Sequence, residues 1–262
     1  HLVPAPRRPA VPALRQALRI LTAMATVGVL AAQLAAQPPI PKYEVRRAPS
    51  PIVIDGRPDE KAWAAASPEI TLIFPWDYQT GEKQATRARL LWDDEYLYVA
   101  FECADADITA HFTERDDPTY RDDAVEFFVN PKPSQTGVYF GFEMNARAVL
   151  YDYLAVDAQY LFWQSNPPGI RIATAIDGTL NARGDQDRGW SLELAVPWRT
   201  FEAVGLKERF GGRPNAGDVW TANLNRWDGV GQNRRLSIWS DPLRPKADPH
   251  APERFGQLVF VK

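Results

Sequence analysis

Two glutamates set the chemistry that this 262-residue chain could carry. Glu126 falls in the middle of Ala124-Val125-Glu126-Phe127-Phe128-Val129-Asn130, and Glu143 lies within Tyr139-Phe140-Gly141-Phe142-Glu143-Met144-Asn145. Strand alternation places Val125, Phe127 and Val129 on one face, and Ala124, Glu126 and Phe128 on the other. In the second run Phe140, Phe142 and Met144 form the core stripe, with Tyr139, Gly141, Glu143 and Asn145 opposite. A mid-strand carboxylate needs hydrogen-bond partners or a groove, because burying it alone costs several kcal/mol. The pair could accept ligand hydroxyls on a sheet face, or Glu126 could sit in a strand-edge salt bridge. Cross-strand carboxyls could also meet the spacing of about 5–5.5 Å that retaining glycoside hydrolysis needs.

Other chemistry is sparse. Asp185-Gln186-Asp187-Arg188-Gly189 alternates carboxylates before a glycine, as oxygen-ligated calcium loops do, so Asp185 and Asp187 are the expected metal ligands and structural calcium the expected ion. That stretch lacks the downstream glutamate of an EF-hand, and a solvated turn is its plainer reading. The acidic clusters Asp105/Asp107 and Asp116/Asp117/Asp122/Asp123 could also bind calcium structurally. A single cysteine, Cys103, excludes a disulfide framework and any multi-cysteine zinc site. Three histidines, His1, His111 and His250, are too scattered for a histidine-based metal centre. A formal net charge of −3 with no basic stripe argues against a nucleic-acid partner. No GxGxxG, Walker A or Gly-x-Ser-x-Gly sequence is present.

The elements that must position these groups begin after residue 36. Residues 1–36 carry Arg7, Arg8, Arg15 and Arg19 with no acid, then an uncharged run from Ile20 to Leu34 and small residues at Ala31, Ala32, Ala35 and Ala36. This is the pattern of a signal peptide, with cleavage expected near Ala32–Gln37 and export as its consequence. The apolar run falls short of the roughly 20 residues that span a bilayer. Losing four arginines takes the net charge from −3 to −7. Residues 37–42 read as a proline-rich linker and 43–262 as one domain. Ten or more short apolar runs, from Ile70–Phe74 to Phe255–Val261, are separated by turns such as Asp93-Asp94-Glu95, Pro131-Lys132-Pro133 and Asp177-Gly178. That spacing predicts an all-β antiparallel sandwich. Two short helices are expected, after Pro58 and after Pro197. Of nine tryptophans, Trp63, Trp92, Trp190, Trp198 and Trp239 fall inside strand or helix patterns and read as core.

Three stretches carry a resemblance: Ile52-Val53-Ile54-Asp55-Gly56 through Trp63, Leu91-Trp92-Asp93-Asp94-Glu95-Tyr96-Leu97-Tyr98-Val99, and Asp122-Asp123-Ala124-Val125-Glu126-Phe127-Phe128-Val129. The order continues through Gly189-Trp190-Ser191-Leu192-Glu193-Leu194, Gly217-Asp218 with Asn223-Leu224-Asn225-Arg226, and Phe255-Gly256-Gln257-Leu258. The whole of 43–262 resembles the family 9 carbohydrate-binding modules of the DOMON-like superfamily. The resemblance implies a non-catalytic, jelly-roll-type sandwich that holds an oligo- or polysaccharide, with relatives in secreted xylanases. It implies that Glu126 binds a sugar hydroxyl and that Asn225 supplies an amide. Tyr120 stands where such binders place the first of two sandwiching tryptophans, and Glu143 where they carry an arginine. The second tryptophan belongs in Leu243–Ala247, where no aromatic occurs. Trp227, Trp163, Tyr160 and Trp76 are the candidate replacements, Trp227 first because a glycine-rich loop follows it. The expected binding set is Tyr120, Glu126, Glu143, Asn145, Asn225, Arg226 and Trp227, with no catalytic residue. Three readings stay open beside it: an interaction module with a vestigial pocket, a haem-binding domain with Met144 as axial ligand, and a glycoside hydrolase.

Overall fold

Asp93 shows how local chemistry turns this chain. Its Oδ1 accepts the amides of Glu95 and Tyr96 at 2.7 and 2.8 Å, and the Asp93 amide bonds the Tyr96 carbonyl at 3.0 Å. The side chain thus closes the hairpin that the acidic turn predicts. The computed structural model describes residues 37–157, 161–162, 166–182, 184–204, 212–231 and 234–262. The expected signal segment, Tyr160 and Trp163 lie outside these residues.

Thirteen strands are described: β1 (Lys42–Arg47), β2 (Ile70–Thr71), β3 (Thr86–Trp92), β4 (Tyr96–Ala104), β5 (Ala124–Asn130), β6 (Val138–Asn145), β7 (Leu150–Val156), β8 (Leu161–Phe162), β9 (Arg171–Asp177), β10 (Gly189–Pro197), β11 (Val219–Asp228), β12 (Arg235–Ile238) and β13 (Gly256–Phe260). The two expected helices are 3-10 turns, at Lys61–Ala65 and Trp198–Val204. One curled sheet runs β8-β7-β6-β5-β11-β13-β1-β3-β4-β10-β9, with β12 on β11 and β2 on β3. Lys42 to Val45 pair with β13, while Arg46 and Arg47 pair with β3, so β1 joins the two layers of the sandwich. Both pairings are parallel, and every other strand pairing among the described residues is antiparallel, as the sandwich expectation has it. With only Tyr43 and Val45 as buried apolar residues, β1 carries too little of a strand signature to be read beforehand.

Between the layers lies the main core. Val125, Phe127, Val129, Phe140, Phe142 and Met144 face Val99, Phe101, Leu192 and Leu194 across it. Met144 is completely buried there and packs among apolar side chains as part of the core stripe. Cys103 packs in the same core, where burial pushes its thiol up to about 12. Trp63, Trp92, Trp190 and Trp198 are buried as expected, and Trp239 is partly buried against the core.

Each outer sheet face is covered in part. On the β3–β4–β10 side, Ile52, Ala62 and Trp63 pack over Leu91, Tyr98 and Ala195. Glu193 holds that cover down: it accepts the Trp63 indole at 2.9 Å and the amides of Asp55 and Gly56 at 3.1 and 3.0 Å. Gly56 adopts φ +90°, and a Cβ there would lie 2.4 Å from the Thr174 backbone. The family-like Asp55-Gly56…Trp63 stretch is therefore a clasp rather than a site.

On the opposite layer Phe128, Tyr139, Tyr153, Ala155 and Phe255 form a second aromatic patch. Gly141 makes it fit, since a Cβ there would sit 2.2 Å from the Tyr153 ring. Gly141→Ala is expected to cost about 1–3 kcal/mol by overpacking. Combined with Tyr153→Ala it should cost less than the sum of the two single changes, which chemical denaturation of all three variants would measure.

Candidate functional site

The register brings one row of side chains together on the outer face of the β5–β6 layer. Asn225 of β11 opposes Glu126 of β5, Glu126 opposes Glu143 of β6, and Glu143 opposes Tyr151 of β7. Above this row opens a cavity of about 390 Å³. Its wall includes Tyr120, Tyr151, Trp227, Arg234, Asp248 and His250, with Glu126 and Glu143 forming its floor.

The floor is buried, with Glu126 at 1% and Glu143 at 3% exposure. Asn225 Nδ2 donates to Glu126 Oε2 at 3.1 Å, which favours the ionised form. Even so, desolvation dominates and raises Glu126 to about 7. The Tyr153 hydroxyl donates to Glu143 Oε1 at 2.9 Å, while Glu143 Oε2 has no partner. Burial, then the neighbouring Glu126, push the Glu143 carboxyl well above its ordinary value.

The walls are positioned by hydrogen bonds from several elements. Tyr120 rides on the 3-10 turn Thr119–Arg121, which Thr119 Oγ1 ties to the Glu143 carbonyl at 2.9 Å. The Tyr120 and Tyr151 rings meet edge-on at 5.9 Å and 65°. Trp227 leans on Trp76, Ala247 and Leu236, and Trp76 bonds the Arg244 carbonyl at 2.9 Å, so one aromatic backs the other and holds the 243–250 loop. Arg234 lies 4.4 Å over the Trp227 ring and donates to the Tyr120 carbonyl. His250 stacks on Phe128 at 5.0 Å and bonds the Tyr139 hydroxyl at 2.7 Å, with burial lowering its pKa.

Of the expected binding set, Tyr120, Glu126, Glu143 and Trp227 border the cavity, and Asn225 supports it from beneath. Asn145 and Arg226 do not border it. Asn145 Nδ2 binds Asp122 Oδ2 and the Phe112 carbonyl, both at 2.9 Å, and its Oδ1 takes the amides of Arg147 and Val149. It builds the turn beneath Tyr120. Arg226 is fully buried on the other face of β11, paired with Asp105 at 2.8 Å and Asp228 at 2.9 Å. Strand alternation requires this, because its neighbours Asn225 and Trp227 both face the cavity side. Missed in the sequence were Tyr151, Tyr153, Arg234, Asp248 and His250.

The metal expectation fares differently. Asp187 spends its oxygens on the Ile108 and Thr179 amides at 2.9 and 2.6 Å, while Asp185 is exposed. The pair therefore does not form a calcium loop. Asp105, Asp123 and Asp228 do bring carboxylate oxygens within 4.8 Å of one another. However, the Arg226 guanidinium bridges Asp105 and Asp228, Arg235 holds Asp228 at 2.6 Å, and the Thr109 and Gly229 amides occupy Asp123. These acids fit a buried arginine rather than a calcium ion.

Fold and cavity together define a sandwich module with an aromatic-walled, polar-floored cavity. The sequence model for the carbohydrate family 9 binding domain-like family matches residues 54–262, and the chain belongs to that family. Exoglucanase XynX of Acetivibrio thermocellus is 28% identical over 193 residues, covering 72% of this chain and 15% of that protein. The chain thus spans about a seventh of that relative's length. Among solved structures, a protein from Bacteroides uniformis superposes with a TM-score of 0.69 at 16% identity, covering 85% of this chain and all of the other. A family 9 carbohydrate-binding module from Caldicellulosiruptor kristjanssonii, solved with cellotriose, gives 0.55 at 16% identity, covering 84% of this chain and 93% of that one. These likenesses establish the sandwich fold.

Two outcomes test the electrostatics. Burial pushes Glu126 up from its ordinary value of 4.5 to about 7, so its contribution to stability is full below about pH 4.5 and is lost as pH rises to about 7. Glu126→Gln should flatten that part of a Tm-against-pH profile. Arg226→Met leaves buried carboxylates uncompensated and is expected to cost about 3–5 kcal/mol at neutral pH, whereas EDTA should leave the wild-type Tm unchanged in the same thermal assay.

Proposed function

We propose that this chain is a non-catalytic carbohydrate-binding module that is exported and serves the breakdown of polysaccharides. The observation that carries the reading is the placement of Glu126, braced by Asn225, in the floor of a cavity walled by Tyr120, Tyr151 and Trp227. Aromatic rings cover the C–H face of a pyranose at little entropic cost, and buried polar groups beneath them discriminate its hydroxyls. The same pairing of aromatic wall and hydroxyl acceptor is what the family resemblance implies for Tyr120 and Glu126. Trp227 takes over the stacking that Leu243–Ala247 cannot provide. Asp248 and His250 present the neighbouring loop to the same cavity.

Membership of the family supports binding without turnover, and the cellotriose complex of a structural relative supports a gluco-oligosaccharide as the kind of ligand. The exoglucanase relative supports a place beside enzymes that degrade polysaccharides. Export rests on the signal-like segment 1–36. No helix among the described residues is long and apolar enough to cross a membrane.

Calorimetric titration with mono- and oligosaccharides tests this reading. Tyr120→Ala and Trp227→Ala should each weaken binding by about tenfold, roughly 1.4 kcal/mol, and Glu126→Ala by more. Incubation with the same oligosaccharides should release no reducing ends above background. Absence of heat across neutral and charged sugars alike would sink the proposal.

A further inference from the structure

The charge on the cavity floor points to a narrower class of ligand, an inference that rests on the carbohydrate-binding reading above. Glu126 and Glu143 stand opposite one another on adjacent strands, an arrangement that places Cβ atoms about 4.5–5.5 Å apart and is unfavourable for like charges. Asp248 adds a third acid to the lining, and Arg234 is its one cation among the described residues apart from His250, which burial keeps neutral. Arg234 lies across Trp227 and donates to the Tyr120 carbonyl, so a single guanidinium faces three acids.

Two neutral donors beneath the floor are already spent. The Tyr153 hydroxyl satisfies Glu143 Oε1 and Asn225 Nδ2 satisfies Glu126 Oε2. Glu143 Oε2 is left buried, without a partner, in the floor of the cavity. A buried polar atom without a partner is costly and requires an explanation. A sugar hydroxyl would supply one donor but no charge. An ammonium group supplies three donors, no acceptor and a positive charge that favours the ionised form of both glutamates. The rings of Tyr120, Tyr151 and Trp227 suit both the apolar face of a sugar and a cation beside it.

We infer that the cavity selects amine-bearing sugars, of the 2-amino-2-deoxyhexose class with the amine free, whose ammonium sits against Glu143 and Glu126. Asp248 then contributes attraction at the rim, and Glu143 acts as the specificity-determining residue.

Three β-1,4-linked trimers that differ only at C2 test this by calorimetry on the full chain at pH 6.5: the glucosamine trimer, its N-acetylated form and cellotriose. The glucosamine trimer should bind at least tenfold more tightly than cellotriose, with the N-acetylated form the weakest. Glu143→Gln keeps an acceptor for the Tyr153 hydroxyl and should bring the amine-to-hydroxyl preference close to unity, with the Tm of the variant showing that it is folded. Cellotriose binding as tightly as the glucosamine trimer would overturn the amine preference while leaving the carbohydrate reading in place. An amine preference unchanged in Glu143→Gln would overturn the assignment of that preference to the floor. No binding of any trimer would remove both readings.

Discussion

The structure is organised around two carboxylates buried face to face across neighbouring strands. Glu126 and Glu143 share a row of the sheet with too little cationic compensation, and each is pushed towards its protonated form by burial. A fold selected for stability alone would place apolar residues at these positions, as it does on the other face of the same strands with Val125, Phe127 and Phe142. That contrast between the two faces of β5 and β6 is the strongest physical argument that the outer face serves a ligand. Marginal stability makes such an arrangement expensive to keep.

The surroundings limit that cost by supplying hydrogen bonds. Gly141 leaves room for the Tyr153 ring, whose hydroxyl then reaches Glu143. Asn225 reaches Glu126 from the next strand, while its neighbour Arg226 turns to the opposite side and neutralises Asp105 and Asp228. One strand, β11, thereby serves two electrostatic systems through simple alternation. Asp123 couples the two regions: it accepts the amide of Gly229, just beyond Trp227, and burial, then the neighbouring Asp105, raise its carboxyl to about 7. The loop that carries the stacking tryptophan is thus fastened to the charged interior.

Much of this was legible in the sequence because it is local. Period-two alternation separates Glu126 from Val125 and Phe127, and the acidic turn at Asp93 announces the β3–β4 hairpin. Arg226 was legible by the same alternation, and its grouping with Asn225 and Trp227 came from adjacency in the chain rather than in space. Beyond Tyr120 and Trp227, the residues around the cavity were not legible. Tyr151 and Tyr153 join the site only through the β6–β7 register, and Arg234 and His250 only through loops that fold back over the sheet. Nor does the Asp-Gln-Asp spacing at 185–187 disclose that Ile108, some eighty residues earlier in the chain, takes the Asp187 carboxylate. Contacts of that range leave no periodic trace.

The central claim, that the cavity above Glu126 and Glu143 holds a sugar, is tested most directly by the indole N–H resonances of the nine tryptophans in a proton–nitrogen correlation spectrum. Titration with cellotriose or the glucosamine trimer should move the Trp227 resonance in a saturable way and leave those of the buried Trp63, Trp190 and Trp198 in place. A Trp227 resonance that stays fixed at saturating sugar, or shifts confined to other tryptophans, would contradict the account.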